Sequence, residues 1–158
     1  MVLAPSGEER LLPAEFLRLN GVRDGRVFGL GLLTDAIERK DGDDLELALI
    51  VCNTFGFSAN HLNSLIALTT ADWHYKHEDV VAALGGLGDP AAVDTLYTAT
   101  QWVPTYLDFD EARALARKAV YALGALSGEE ADNALRRVLE SEDAIVREFA
   151  EEQIARRG

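Results

Sequence analysis

Cysteine is nearly missing from this chain: Cys52 is the only one among 158 residues. A single thiol excludes an internal disulfide and a cysteine-built metal cage, and Cys52 reads as a small buried apolar residue rather than a reactive group. Long apolar runs are missing too, since nothing approaches the roughly 18 consecutive residues that a membrane-spanning helix needs. Residues 1–10 carry no basic flank followed by an apolar core, the pattern of a secretory leader. The expectation is a soluble, cytoplasmic protein with no membrane partner. No Ser-His-Asp order, glycine-rich phosphate loop or paired-carboxylate motif stands out, so a nucleophile-based enzyme has nothing to rest on and no cofactor is implied.

Bases are scarce. Fifteen Lys and Arg face 27 Asp and Glu, a net of −12, and the excess is uneven. Residues 71–110 hold seven acids (Asp72, Glu78, Asp79, Asp89, Asp94, Asp108, Asp110) and one base, Lys76, a net of −6. Such a field repels nucleic acid and anionic membranes and speeds encounter with a basic partner, although general solubility alone also explains an acidic surface.

What is present is helical periodicity. Residues 1–12 mix Pro, Ser, Gly and charge without a period and read as a disordered arm; 13–158 reads as a single helical domain. Pro13 suits the first turn of a short helix, Ala14 to Leu19, closed by Asn20 and Gly21. A helix from Asp24 to about Lys40 carries Leu30, Leu33 and Ile37 on one stripe. Its glycines, Gly25, Gly29 and Gly31, weaken it by roughly 1 kcal/mol each relative to alanine, and close approach of a neighbouring helix is the expected return. Asp41 to Asp44 form a turn and cap before a helix from Leu45 to Phe55. A calcium loop at these aspartates is disfavoured, because the later ligand positions are leucines. After Gly56 a further helix spans Asn60, its expected cap, to Thr70, with Leu62, Leu65 and Ile66 inward.

From Ala71 onward the chain repeats. The helix Glu78–Leu87 ends in Leu84-Gly85-Gly86-Leu87-Gly88, and the long helix within 112–126 ends in Leu123-Gly124-Ala125-Leu126-Ser127-Gly128. In each, a small residue falls where helices touch and a later glycine terminates the helix in a left-handed conformation. Partner helices open at Pro90 and Glu129. Arg117 and Arg147 stand 30 residues apart in matching surroundings, and a period near 30 is the mark of a solenoid. From Leu87 to Leu126 the distance is 39, so about nine extra residues sit at 101–110, a stretch with three aromatics, Trp102, Tyr106 and Phe109. Insertions in repeats become loops on one edge, often the binding edge. Asp110 caps the long helix, and Asp143 or Ser141 caps the last.

Leu84-Gly85-Gly86-Leu87-Gly88-Asp89-Pro90-Ala91-Ala92-Val93 and Ala116-Arg117-Lys118-Ala119-Val120-Tyr121-Ala122-Leu123-Gly124 resemble HEAT repeats of the short, phycobilisome-lyase-like kind. The likeness is clear over 71–158 and divergent over 20–70, and Glu78 departs from it where later repeats carry Arg117 and Arg147. The resemblance implies an all-α, right-handed α-α superhelix of about four helix pairs. It implies binding far more often than catalysis, and bacterial members include scaffolds, chromophore-lyase relatives and toxin-neutralising immunity proteins.

One constellation competes with that reading. His74 and His77, spaced i and i+3, could share a helical face and bind zinc with Asp79 or an acid from Asp108 to Asp110 as third ligand, and a small lyase or metal-dependent enzyme would use His74, His77, Glu78 and Asp79. Against it, Glu78 and Asp79 stand at a helix start, where acids serve the dipole, and surface histidines beside an aromatic are commoner than ligands. The expected face for another, basic protein is therefore Trp73, His74, His77, Glu78, Asp79, Trp102, Tyr106, Asp108 and Asp110, with Trp102 exposed and Tyr106 and Phe109 folded back on the core. An immunity-type inhibitor of a basic toxin is the sharper form of this expectation; it involves no metal and no catalytic residue.

Overall fold

The computed structural model describes residues 13–111 and 113–158. The expected disordered arm and Ala112, the first residue of the stretch 112–126 that holds the expected long helix, lie outside them. The described residues fold into nine α-helices and short 3-10 turns, with no strand among them, and they form two compact units that meet in sequence at Ser64 and Leu65.

In the first unit, α1 (Pro13–Leu19) closes on Asn20, whose side-chain amide donates to Phe16 O at 2.8 Å, and on Gly21 at φ 66°. The N-terminal capping residue of α2 (Gly25–Arg39) is Asp24, which accepts from the backbone N–H groups of Arg26 and Val27. Its buried face is Gly25, Gly29, Leu33 and Ala36, one position round from the expected Leu30-Leu33-Ile37 stripe. Two of those glycines cause the rotation, because they let α3 (Gly42–Phe55) approach. A Cβ on Gly25 would lie 2.3 Å from Phe55 Cγ, and one on Gly29 would lie 3.0 Å from Cys52 Sγ. Gly31 faces open space, so close packing explains two of the three.

The third helix starts at Gly42, three residues before the expected Leu45, because Asp41 accepts from Asp44 N–H and acids in the first turn suit the helix dipole. Leu45, Ala48, Leu49 and Cys52 are buried as the pattern required, and burial pushes the Cys52 thiol up to about 11. Ser58 precedes the 3-10 turn Ala59–His61, which places Asn60 inside the turn rather than at a cap. The unit boundary falls within α4 (Leu62–Leu68), which stops short of Thr70.

The second unit is a two-layer helical-repeat solenoid. One row holds α5 (His77–Leu87), α7 (Ala114–Ala125) and α9 (Ala144–Arg157); the other holds α6 (Val93–Gln101) and α8 (Glu129–Val138). Starts at Ala114 and Ala144 preserve the 30-residue period. Small residues fall at the helix contacts: a Cβ on Gly85 would lie 2.9 Å from Ala122 Cβ, and one on Gly124 would run into Gln153. Gly88 ends α5 at φ 66°, as expected of a left-handed terminator. The end of α7 departs from that rule. Leu126 is extended there, Gly128 precedes α8 at φ 104° and ψ 167°, and the freed carbonyls are met from elsewhere in the chain. Arg157 of α9 donates to Gly124 O at 2.9 Å and Leu126 O at 2.6 Å while its Nε reaches Asp132 at 2.7 Å.

Candidate functional site

The residues of interest lie where α5 begins and where the chain leaves α6. After Gln101 the backbone is extended at Trp102, turns at buried Pro104, and forms a 3-10 turn, Thr105–Leu107. Proline fits because it fixes φ near −65° and the turn needs no N–H from it. Two histidines hold this loop. His74 and His77 are each 1% exposed, and their rings stack with centroids 4.0 Å apart.

Every ring nitrogen of the pair is engaged. His74 Nδ1 accepts the backbone N–H of Lys76 at 3.0 Å, so Nε2 carries the proton and donates to Leu68 O at 2.8 Å. His77 Nε2 donates to Ala71 O at 2.6 Å, which leaves Nδ1 to accept from the Tyr106 hydroxyl at 2.8 Å. The Lys76 N–H keeps His74 neutral, and burial favours the neutral form of His77. Burial pushes His74 down to about 4, against the opposing pull of the Leu68 carbonyl and with a further push from His77. Burial also lowers His77 and raises Tyr106.

This geometry corrects the expectation of surface histidines. Residue spacing does not report that the carbonyls of Leu68 and Ala71 turn toward these rings, and those bonds make burial tolerable. Zinc ligation by His74 and His77 would require breaking two of the four bonds, one at each ring, and Glu78 is paired with Lys118 at 3.4 Å. No group of three His, Cys, Asp or Glu among the described residues is arranged to hold a metal.

Around the histidines the aromatic residues converge. Trp73 meets His74 edge-on at 5.1 Å, Trp102 meets His77 edge-on at 5.1 Å, and Tyr106 stacks on His77 at 5.5 Å while contacting Tyr75 at 5.0 Å. Tyr75, Trp102, Tyr106, Asp72 and Thr105 line an open cleft of about 300 Å³. Two aromatic assignments exchange places. Trp102 is half-buried against His77, whereas Phe109 projects outward at 81% exposure; Tyr106 folds back as expected. Among the acids, Asp79 and Asp108 are exposed, but Asp110 accepts the Ala114 N–H at 2.7 Å and serves the start of α7. Tyr75, 73% exposed, and Asp72 were not singled out as site residues from sequence. Tyr75 follows His74, whose ring turns inward, and faces out itself.

Residues 78–101 and 115–141 match the PBS lyase HEAT-like repeat family. These two stretches are HEAT-like repeats. No curated protein and no solved structure matches it. The first stretch covers α5 and α6, the second covers α7 and α8, and the aromatic loop from Trp102 onward falls between them. No helix among the described residues is long and apolar enough to cross a membrane.

Proposed function

We propose that this protein is a cytoplasmic adaptor or inhibitor that acts by binding another, basic protein rather than by catalysis. The observation that carries the reading is the exposure of Val103 and Phe109 on the loop between the two repeats, of Tyr75, which contacts Tyr106 of that loop at 5.0 Å, and of the acids Asp72, Asp79 and Asp108 near them in sequence. Aromatics flanked by charge are the composition of an interface centre. HEAT-like repeats are commonly protein-interaction scaffolds, which supports the same reading. Its sharper form is an immunity-type bacterial protein that neutralises a basic toxin encoded beside it.

The test begins with co-purification of tagged protein and identification of what is retained. With that partner, stopped-flow association should slow as salt rises, because screening acts within about 8 to 10 Å at physiological ionic strength. Asp79→Lys with Asp108→Lys should lower mainly the association rate, and Phe109→Ala should raise mainly the dissociation rate. Rates that stay equal across wild type and both variants would remove this face from the interface. Co-expression decides the inhibitor form: a toxic neighbouring product that stays toxic beside this protein would exclude it.

A further inference from the structure

The protein-binding reading names a class of partner but not the group it presents, and the cleft at the loop narrows that choice. Its walls are ring surfaces, from Tyr75, Trp102 and Tyr106, backed by His74 and His77. The two histidines add no positive charge, since each has one nitrogen accepting and the other donating to a carbonyl. Negative charge surrounds the walls: Asp72 lines the cleft, and Glu78 and Asp79 act on the Tyr106 phenol through space. An anionic ligand would meet these carboxylates. A neutral hydrogen-bonding ligand would find the Tyr106 hydroxyl already donated to His77.

A cation matches each of these features, because aromatic faces and a carboxylate attract it together. Shape then separates the two cationic side chains. A guanidinium is planar, weakly hydrated and able to stack on a ring while its edge hydrogen-bonds a carboxylate, whereas an ammonium is compact and holds its water strongly. The second unit already uses this pairing, with Arg137 lying 3.9 Å over the Tyr97 ring and Arg117 5.1 Å from that of Tyr121. At about 300 Å³ the cleft lies at the small end of ligand pockets, which suits one long side chain better than a peptide strand or a cofactor.

We propose that this cleft receives an arginine side chain of the basic partner, its guanidinium held against Tyr75, Trp102 and Tyr106 and paired with the carboxylate of Asp72. The proposal rests on the protein-binding reading above, and its test is separable from that one. Terminally blocked tripeptides with a central arginine, lysine or citrulline between glycines are titrated into the full chain while NMR follows the indole of Trp102 and the rings of Tyr75 and Tyr106. The arginine peptide should give saturable shifts at these three residues, with lysine several-fold weaker and the uncharged isostere citrulline weaker by about tenfold or more. Tyr75→Ala and Asp72→Asn change exposed side chains, so both variants should fold, and each should weaken the arginine peptide by about fivefold or more.

Equal binding of citrulline and arginine would overturn the assignment, as would shifts unaffected by both substitutions. If a basic protein binds with the expected salt dependence while the arginine peptide leaves the three rings unmoved, the arginine pocket fails and the broader reading stands. If the peptide binds as described but no basic protein is found, the pocket survives and the broader reading fails.

Discussion

Acid should destabilise the fold through His74, and the size of the effect follows from its surroundings. The ring is buried and neutral, with burial holding it at about 4 rather than the ordinary 6.5. The unfolded chain takes up the proton first as pH falls through 6.5, so the folded state loses stability progressively between 6.5 and 4 and no further below that from this group. The full window corresponds to about 3 kcal/mol at roughly 1.4 kcal/mol per unit, and about 2 to 3 kcal/mol of it should be gone by about pH 4.5. Protonation at Nδ1 would also set two donors face to face, because that nitrogen accepts the Lys76 N–H.

His74→Gln isolates the contribution. Glutamine keeps an N–H that can reach Leu68 O but cannot titrate. Urea unfolding of wild type and variant at about pH 7.5 and about pH 4.5 gives two pH dependences, in which carboxylates and the other histidines appear on both sides and cancel. The variant should be less stable at the higher pH and should lose about 2 to 3 kcal/mol less on acidification. Equal losses within about 0.5 kcal/mol would refute the argument that His74 is held neutral by burial.

Two further predictions concern packing in the second unit. Leu123 is fully buried on α7, so Leu123→Ala should cost on the order of 2 to 5 kcal/mol in urea unfolding, and a cost below about 0.5 kcal/mol would place it outside the core. Gly85→Ala should destabilise by about 1 to 3 kcal/mol because its Cβ would press on the Ala122 backbone, whereas the neighbouring Gly86→Ala meets nothing and should stabilise α5 by up to about 1 kcal/mol. Thermal unfolding of the pair reads this contrast, and similar shifts for both would show that helix contact does not select the first glycine.

What could be read in advance was whatever the chain encodes locally. The caps Asp24, Asp41 and Asp143, the terminator Gly88 and the small contact residues Gly85 and Gly124 all follow from short-range pattern, and the 30-residue period placed Ala114 against Ala144. Errors arose where a distant group decides. The face of α2 turned because Phe55 and Cys52 press on two glycines, and α7 ends without a left-handed glycine because Arg157 answers its carbonyls. His74 and His77 looked like surface residues since nothing in their spacing reveals two backbone carbonyls facing them. For the same reason Trp102 and Phe109 exchanged places: which aromatic folds inward depended on the position of His77, which period and composition do not report.

That dependence bears on recognition. A loop added between two repeats gains nothing from the repeat packing, and without tethers it would lose its ordering entropy again each time it bound a partner. Here three tethers act inside one short segment: Trp102 against His77, buried Pro104, and the Tyr106 hydroxyl on His77 Nδ1. Each is directed inward, and together they leave Val103 and Phe109 outside on a backbone already fixed at both sides. His74 can accept the Lys76 N–H only while neutral, and burial favours the neutral form of His77, which accepts from the Tyr106 hydroxyl. An interior built of imidazoles, which in sequence resembled a metal site, thus accounts for a loop ordered in advance, as the proposed interface requires.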